Sequence, residues 1–288
     1  MREALALVWN RWRKRSPIAP GSPVEDLRPA FSIPLEPRYL GIRYGFDEEE
    51  EIKRAVEVVS GHTMASLERL AQLWQHVRYL DRYELEGCLV ECGTWRGGCV
   101  GMMALAHMRS RTPPSRRLHL FDSFEGLPEP KADVDGATAV AYAGNRASGA
   151  LSSIGQWVAS EADCRRLLEE AVGYPRELAS YHVGWFERTI PAAGEALGPI
   201  ALLRLDGDWY ESTKICLESL YPTVIEGGIV VIDDYGHWEG CRRAVDEFIA
   251  GLDEPVLLAH VDYTCRYWVR SGVRRTSRTP SSGAVGIA

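Results

Sequence analysis

The feature that most constrains the fold of this chain is a pair of short apolar runs, each followed closely by two aspartates. Short apolar runs bounded by turns are typical of strands buried on both faces of a parallel sheet. A helix-length interval separates the runs, so we expect neighbouring strands joined by one crossover helix. The carboxyl ends of such strands meet at one edge of the sheet, where ligands bind in open α/β folds. That edge would receive four carboxylates, which are Asp206 and Asp208 after the first run and Asp233 and Asp234 after the second.

Four carboxylates gathered at one edge repel one another unless a cation compensates their charge. Hard oxygen ligands of this kind suit Mg²⁺ or Ca²⁺. A single acidic residue at a strand end more simply caps the next helix, which is an adequate explanation for Asp208 or Asp234 alone. Two aspartate pairs at adjacent strand ends favour a metal-dependent site instead.

Strand-like and helix-like segments alternate from Cys88 onward, which predicts a parallel, doubly wound α/β sheet. Two closing strand patterns could add an antiparallel edge. Thr63–Arg82 has apolar residues spaced by threes and fours, and it is predicted to form an amphipathic helix. The segment Phe124–Ser160 contains several Gly and Pro residues and is predicted to be irregular. Because it is too long for a passive connection, we interpret it as a mobile lid.

The chain is expected to contain one catalytic domain with an N-terminal extension. We predict an arm and helix over residues 1–60, a catalytic domain over 61–272 with a lid at about 124–160, and a disordered tail over 273–288. The basic N-terminal stretch is interpreted as a packing arm or a frayed terminus, with membrane-surface contact as the alternative. No apolar run reaches the length of a membrane span.

The net charge and the cysteine content restrict the kinds of partner that the protein could bind and the cellular compartment in which it would work. The net charge of −7 argues against a nucleic-acid-binding surface. There are seven cysteines and none forms a CxxC pair, so free thiols in a reducing compartment are the simplest interpretation. We therefore expect a cytoplasmic location.

A glycine-containing turn, Glu91–Gly98, follows the first predicted strand. Its pattern, E-x-G-x-x-x-G-G, differs from the dinucleotide fingerprint, whose glycines accommodate a pyrophosphate. Glu91, just before the turn, could accept a hydrogen bond from an amino-acid ammonium, directly or through water. A tight strand-to-helix turn without a ligand is the alternative.

Asp122 ends the second predicted strand, where a carboxylate can bind both hydroxyls of a ribose, and Ser123 follows it. Together with the Glu91–Gly98 turn, it describes a ligand with an amino acid at one end and a ribose at the other. S-adenosylmethionine has both. Gly184 and Trp185, after the third strand, would lie where an adenine could stack or hydrogen-bond, although core packing explains Trp185 equally well.

Seven segments between about residues 60 and 270 resemble the TylF-type family of O-methyltransferases, which act on sugars in macrolide and aminocoumarin antibiotics. LDGDWYEST and IDDYGHW, within the fifth and sixth segments, are highly specific when they occur together. The other segments are HTMASLERL, GCLVECGTWRGG, LHLFDSFEGLPEP, VGWFERTIP and RYWVR. The resemblance implies a Rossmann-like class I methyltransferase with a mostly parallel seven-stranded sheet, an N-terminal helical extension and a lid. It also implies S-adenosylmethionine and Mg²⁺ as cofactors.

The resemblance further implies roles for individual residues. The implied metal ligands are Asp206, Asp233 and Asp234, and the implied general base is Asp208. The implied cofactor ligands are Glu91, Gly93 and Asp122, with Thr63 and Met64 near the methionine end. The bulky, basic content of the arm (Arg38, Arg43 and Tyr44) departs from the family pattern in a region that helps to shape the acceptor pocket.

A metal ion lowers the pKa of an oxygen bound to it, and this would activate an alcohol that is otherwise a poor nucleophile. Asp208 would then take the proton, because burial among other carboxylates raises the pKa of a carboxylate and makes it a stronger base. His237 is the alternative base, although a satisfied rim histidine is the simpler interpretation. The acceptor is expected to be a small molecule with vicinal oxygens, and by resemblance a sugar hydroxyl on a glycosylated natural product.

Two other functions compete with this hypothesis. Asp206-Gly-Asp208 is formally a D-x-D motif, which in a metal-dependent glycosyltransferase would hold a metal against a nucleotide-sugar diphosphate. The Glu91–Gly98 turn and the second aspartate pair argue against it. A non-catalytic binding module that keeps the fold is the third interpretation. The amphipathic N-terminal arm also makes a homodimer plausible.

Overall fold

The computed structural model describes Leu35 and residues 37–273 of the chain. The predictions for most of the N-terminal arm and for the tail after residue 273 lie outside these described residues. The strands are β1 (Cys88–Cys92), β2 (Leu118–Asp122), β3 (Ala179–Val183), β4 (Ile200–Leu205), β5 (Val224–Ile232), β6 (Ala259–His260) and β7 (Arg266–Val269).

The helices alternate with the strands, as the sequence pattern predicts. The α-helices are α1 (Pro37–Leu40), α2 (Glu49–Val59), α3 (Leu67–Arg82), α4 (Gly98–Ser110), α5 (Ala132–Tyr142), α6 (Glu161–Arg165), α7 (Phe186–Ala193), α8 (Tyr210–Leu220) and α9 (Glu239–Ala250). A π-helical segment, Arg166–Val172, continues α6. Short 3₁₀ turns are Ser60–His62, Arg176–Leu178, Gly194–Leu197 and Tyr221–Thr223.

The seven strands form one sheet in the order β3-β2-β1-β4-β5-β7-β6. Strands β1 to β5 are parallel, whereas β7 runs antiparallel to both β5 and β6. The predicted mostly parallel sheet with an antiparallel closing pair is thus confirmed. The strand order reverses direction at β1 and β4, and the crevice outside the carboxyl ends at such a switch point is where open α/β sheets bind ligands.

Helices cover both faces of the sheet because alternate residues of the buried strands point to opposite sides. Leu89 of β1 and Leu202 of β4 face a core shared with α2, α3 and α4. Val90 of β1 and Leu203 of β4 face a second core shared with α7, α8 and α9. Helix α2 is therefore packed in the same core as the helices of the central sheet.

Helix α3 matches the amphipathic helix predicted over Thr63–Arg82, but it begins four residues later, at Leu67. Ser66 is the cap: its Oγ accepts a hydrogen bond from the backbone N–H of Arg69 at 3.3 Å. This contact satisfies one of the free donors at the start of the helix. Thr63 and Met64 are thereby left in an extended segment that runs past the sheet.

The segment Phe124–Ser160 is not irregular throughout, and that prediction was wrong. It contains α5, which is interrupted at Gly136, a residue with φ +79°. The helix was missed because its residues are mostly small, so it has little of the apolar periodicity that identifies a helix in a sequence. Two antiparallel bridges, Pro128 with Ser153 and Lys131 with Ser148, join the ends of the segment.

Other predictions can be compared with the structure directly. The late run PVLLAHV forms only a two-residue strand, β6. All seven cysteines are buried and unpaired. Among the described residues, no helix has both the length and the apolar character needed to cross a membrane.

Candidate active site

The predicted aspartates lie where β4 and β5 end, next to β1. The backbone N–H of Asp206 donates to Cys92 O at 2.8 Å, and that of Asp233 donates to Leu205 O at 2.9 Å. The hydrogen bonds of the sheet thus continue one residue past the strands. The backbone that carries these carboxylates is consequently as firmly placed as the sheet itself.

Three of the four carboxylates form a close cluster: one oxygen each from Asp206, Asp208 and Asp234 lie within 4.8 Å of one another. Asp208 has a backbone φ of +58°, in the left-handed region. Its Oδ1 accepts a hydrogen bond from Trp238 Nε1 at 2.8 Å, and its backbone N–H donates to Asp234 Oδ2 at 3.3 Å. The loop after β4 is therefore tied to the loop after β5.

Burial and mutual repulsion raise the pKa of each member of this acidic cluster. Burial, followed by the charge of Asp206, raises the pKa of Asp208 to about 8. The pKa of Asp206 is also raised, first by burial and then by Asp233, and that of Asp234 is raised well above its ordinary value. Such an excess of negative charge is what a bound divalent cation would relieve. The donors are carboxylate oxygens, so the residues present fit Mg²⁺ or Ca²⁺.

Asp233, a predicted metal ligand, is not a member of the close cluster. Its Oδ1 accepts from Arg204 Nη2 and its Oδ2 accepts from Arg69 Nη1, both at 2.5 Å. Each carboxylate oxygen has two lone pairs, so each retains one that the arginines do not use. Asp233 is thus held between two guanidinium groups at the edge of the cluster.

Arg204 is a site residue that the sequence argument missed. It is 2% exposed, and its Nη1 donates to Glu91 Oε1 at 2.5 Å and to Asp206 Oδ2 at 2.9 Å. A buried guanidinium needs carboxylate partners, because moving an unpaired charge out of water is costly. The available signal was an arginine inside the apolar run that becomes β4, since charged residues are almost never buried unless paired.

The turn after β1 approaches the acidic cluster through its backbone. Gly93 has φ +87°, and a Cβ atom built on it would lie 1.9 Å from the carbonyl oxygen of Asp206. Gly97, with φ +85°, caps the start of α4. Only glycine fits at position 93, because any side chain there would displace Asp206.

Asp122 holds this turn in place. Its Oδ2 accepts from the backbone N–H groups of Thr94 and Trp95 at 2.7 and 2.8 Å, and its Oδ1 accepts from that of Phe124 at 2.6 Å. Thr94 Oγ1 also donates to Oδ2, at 3.5 Å, whereas Oδ1 accepts from Phe124 alone among the described residues, so Oδ1 keeps a lone pair for a further donor such as a ribose hydroxyl. Asp122 therefore fixes the backbone of the Glu91–Gly98 turn.

Glu91 has an unusual environment for a carboxylate. It is 1% exposed, and burial raises its pKa to about 8. Its Oε1 is bound by Arg204, whereas Oε2 is buried and has no hydrogen-bond partner among the described residues. A buried acceptor without a donor is costly, and an ammonium group would supply the missing hydrogen bond.

The structure also brings Thr63 to the Glu91–Gly98 turn. A Cβ atom on Gly98, the first residue of α4, would lie 2.6 Å from Thr63 Cβ, so the two segments are in close contact. Met64 follows on the surface and is 54% exposed. The methionine end predicted for this region is thus bordered by an apolar side chain that a ligand could cover.

The remaining predicted cofactor residues lie around the end of β2. The backbone N–H of Gly184 donates to the backbone carbonyl oxygen of Asp122 at 2.9 Å, which places Gly184 next to the end of β2, with Trp185 following it. Ser123 is directed to the following loop, where its Oγ donates to Gly126 O at 3.2 Å. Gly184 and Asp122 are thus adjacent, whereas the Ser123 side chain is hydrogen-bonded within its own loop.

Aromatic side chains lie beside Asp208. The Trp238 ring lies 5.4 Å from that of Tyr142, which ends α5, and 4.3 Å from that of His237. Burial, together with the charge of Arg69, lowers the pKa of His237, so this imidazole is neutral near pH 7. The long segment after β2 thus contributes a side chain, Tyr142, to the vicinity of the acidic cluster.

That segment is attached to the loop between β4 and α8 by Asp135, a residue that the sequence analysis did not select. Its Oδ1 accepts from the backbone N–H of Tyr210, the first residue of α8, and its Oδ2 accepts from that of Lys131, both at 2.7 Å. Trp209 Nε1 also donates to Pro128 O at 2.9 Å. The segment and the loop that carries Asp206 and Asp208 therefore hold each other.

Comparison with known proteins identifies relatives of this architecture. The profile of a family described as macrocin-O-methyltransferase (TylF) matches residues 42–270. The chain is 35% identical over 219 residues to the demethyldecarbamoylnovobiocin O-methyltransferase of Streptomyces niveus, covering 74% of this chain and 77% of that protein. It is 34% identical over 226 residues to 8-demethyl-8-(2,3-dimethoxy-alpha-L-rhamnosyl)-tetracenomycin-C 4'-O-methyltransferase of Streptomyces olivaceus, covering 77% and 80%. A third relative is the mycinamicin III 3''-O-methyltransferase of Micromonospora griseorubida, 31% identical over 73% of this chain and 79% of that protein.

Solved structures show the same fold. The O-methyltransferase NovP matches with a TM-score of 0.66 at 29% identity, over 78% of this chain and all of that one. A calicheamicin methyltransferase matches with a TM-score of 0.55 at 22% identity, over 90% of this chain and all of that one. The predicted class I methyltransferase fold is confirmed.

Proposed function

The chain belongs to the macrocin-O-methyltransferase (TylF) family and is an O-methyltransferase of natural-product biosynthesis, and from this premise we propose its cofactors, acceptor and catalytic residues. The proposed reaction transfers a methyl group from S-adenosylmethionine to a sugar hydroxyl, with the assistance of Mg²⁺. The observation that carries the proposal is the contact between the Gly93 turn and Asp206, which joins a cradle for an amino-acid ligand to a cluster of carboxylates.

The cofactor is proposed to lie in the crevice between β1, β2 and β3, where it would supply an activated methyl group. Glu91 Oε2 would accept from its ammonium, and Gly93 would let the backbone approach it. Asp122 would accept from the ribose hydroxyls. The other proposed contacts are Thr63 and Met64 at the methionine end, and Ser123, Gly184 and Trp185 toward the adenine.

The proposed ligands of Mg²⁺ are Asp206, Asp233 and Asp234. Asp206 and Asp234 already lie within the close cluster, and Asp233 keeps an unused lone pair on each oxygen. Bound there, the ion would lower the pKa of a hydroxyl oxygen that approaches it.

Asp208 is proposed as the general base. With a pKa raised to about 8, it is a stronger base than an exposed aspartate, and the Trp238 indole holds its orientation. His237 is the second candidate, because it is neutral and lies next to Trp238 in the sequence and in space. We favour Asp208 because it belongs to the acidic cluster itself.

The acceptor is proposed to be a sugar hydroxyl with an oxygen on the neighbouring carbon. One relative is named for a rhamnosyl-tetracenomycin, which supports a sugar. The named relatives are all O-methyltransferases, so the glycosyltransferase alternative for Asp206-Gly-Asp208 finds no support. The domain limits at residues 60 and 273, the cytoplasmic location, the absence of a nucleic-acid partner and the homodimer stay predictions.

Calorimetric titration with S-adenosylhomocysteine, in Mg²⁺ and in EDTA, tests this function. Micromolar binding that survives EDTA is expected, because the cofactor crevice does not need the ion. Methylation of a panel of rhamnosylated natural products should stop in EDTA and return with Mg²⁺. An absence of binding under both conditions would refute the cofactor assignment, and full turnover in EDTA would refute the metal assignment.

A further inference from the structure

Arg69 joins helix α3 to Asp233, a carboxylate at the end of β5. It lies on α3, near the start of the helix, and its Nη1 donates to Asp233 Oδ2 at 2.5 Å. Its side chain is 16% exposed and that of Asp233 is 6% exposed, so the pair is largely shielded from water. A shielded pair of this kind has a strong Coulomb interaction, since the effective dielectric is well below that of water.

A second carboxylate anchors the other edge of the same guanidinium. Arg69 Nε donates to Asp262 Oδ2 at 2.9 Å, and the Asp262 side chain is fully buried. Asp262 is itself fixed, because its Oδ1 accepts from the backbone N–H of Cys265 at 2.9 Å and its Oδ2 accepts from Ser66 Oγ at 2.8 Å. Arg69 can therefore give up Asp233 and still keep a carboxylate partner.

The acidic cluster needs positive charge in order to be stable without a bound ion. Asp206, Asp208 and Asp234 lie together, and Asp233 lies beside them with an arginine on each oxygen. Each oxygen of Asp233 keeps a lone pair for a cation, but a cation at this edge would meet the positive charge of the arginines and share the negative charge of Asp233 with them. The other partners of Arg204 are Glu91 and Asp206, which belong to the same site. The other partner of Arg69 is Asp262, which lies outside the acidic cluster.

We propose that Arg69 is a positioning residue which compensates Asp233 when no cation is bound and competes with the cation for that carboxylate. The inference rests on the metal-dependent function proposed above. It predicts that Arg69 keeps the cation-free protein folded and at the same time weakens cation affinity. The bound Mg²⁺ would then be readily exchangeable.

The test compares the full chain with its Arg69→Gln variant. Thermal unfolding of each protein is measured in EDTA and in increasing concentrations of Mg²⁺. In EDTA the variant should melt at a lower temperature, because Asp233 and Asp262 lose a counter-charge. Mg²⁺ should raise the melting temperature of the variant more than that of the wild type, since ligand binding to the folded state stabilises it. The dissociation constant for Mg²⁺ should fall by about tenfold.

Arg78→Gln is the matched control on the same helix. Arg78 donates from Nε and Nη2 to Glu48 at 2.9 and 2.8 Å, so this variant also removes a two-point ion pair. It should lower the melting temperature equally in EDTA and in Mg²⁺. Arg69→Lys, which keeps the charge but not the fork that spans two carboxylates, should lie between Arg69→Gln and the wild type.

The outcomes separate this inference from the function on which it rests. If the wild type requires Mg²⁺ for turnover and Arg69→Gln shows the same or a smaller Mg²⁺ stabilisation than the wild type, the inference is overturned and the metal site stands. If wild-type turnover is unaffected by EDTA, both are overturned. If Mg²⁺ raises the melting temperature of Arg78→Gln as much as that of Arg69→Gln, the inference is also overturned, since the larger rise would then reflect a general loss of stability.

Discussion

Glu91 and Asp206 accept hydrogen bonds from the same nitrogen, Nη1 of Arg204, at 2.5 and 2.9 Å. The first carboxylate faces the proposed cofactor crevice, and the second belongs to the acidic cluster. Since Gly93 also brings the Glu91–Gly98 turn against the backbone of Asp206, two independent contacts connect these regions. The proposed sites for the methyl donor and the acceptor are thus held by one connected group of residues, which would favour the short approach that methyl transfer requires.

Asp208→Asn should reduce turnover by about 10²- to 10⁴-fold, because an amide cannot accept the proton. Affinities for S-adenosylhomocysteine and Mg²⁺ should change little, as measured by calorimetry. Trp238→Phe is the companion variant: it keeps the carboxylate but removes the 2.8 Å hydrogen bond to Oδ1 and part of the buried ring, so a smaller loss is expected. Normal turnover in Asp208→Asn would transfer the base role to His237.

Gly93→Ala should abolish cofactor binding. The new Cβ would lie 1.9 Å from Asp206 O, and the residue would have to keep φ +87°. Gly173→Ala is a control for the backbone conformation alone, because Gly173 has φ +74° and nothing within 4 Å of its Cβ position. It should cost about 1 kcal/mol of stability and leave binding of S-adenosylhomocysteine intact. Measurable cofactor binding by Gly93→Ala would mean that the turn can move away from β4.

The central sheet and the position of the site were predictable because they depend on local patterns. Apolar runs that end in Asp122, Asp206 and Asp233 identify strands and place their carboxylates at one edge. Helix α5 was not predictable in the same way, since Gly136 and a series of small residues hide its periodicity.

The sequence could not predict which charged residues pair with one another across the site. Arg69 and Asp233 are 164 positions apart, and nothing in the local pattern of α3 distinguishes Arg69 from Arg78, which pairs with Glu48. Both look like polar positions of an amphipathic helix. Which arginine reaches the site depends on how α3 packs on the sheet, and that is a property of the tertiary structure.

Glu91→Gln should flatten the pH dependence of stability. Burial raises the pKa of Glu91 from 4.5 to about 8, so between these values the folded state holds a proton that the unfolded state has lost. Stability from this group is therefore complete below about pH 4.5 and declines as the pH rises toward about 8, by up to about 1.4 kcal/mol per pH unit. Urea unfolding at several pH values in EDTA, without cofactor, should show a shallower decline in the variant.

Glu86→Gln is the matched control for this measurement. Glu86 is exposed and lies just before β1, so its substitution should leave the wild-type decline unchanged. A decline in Glu91→Gln as steep as that of the wild type would assign the pH dependence to the other buried carboxylates and leave Glu91 ionised in the folded protein.

Asp135→Asn should loosen the segment that covers the acidic cluster. Asp135 is 2% exposed, and both of its oxygens accept backbone N–H groups, one from Tyr210 and one from Lys131. The amide offers a donor where an acceptor is needed, which costs about 1–3 kcal/mol at a buried position. Limited proteolysis within residues 124–160 should become faster, and turnover should fall as Tyr142 loses its place beside Trp238.

Asp133→Asn, an exposed substitution on the same helix, should change neither property. The comparison decides what the segment does. Faster proteolysis together with lower turnover, at unchanged affinity for S-adenosylhomocysteine, would mean that closure over the acceptor is required for methyl transfer. Faster proteolysis with unchanged turnover would mean that the segment only covers the site, and the lid hypothesis would be wrong. The two outcomes can be told apart because Asp135 contacts the backbone of Tyr210 and none of the proposed ligands.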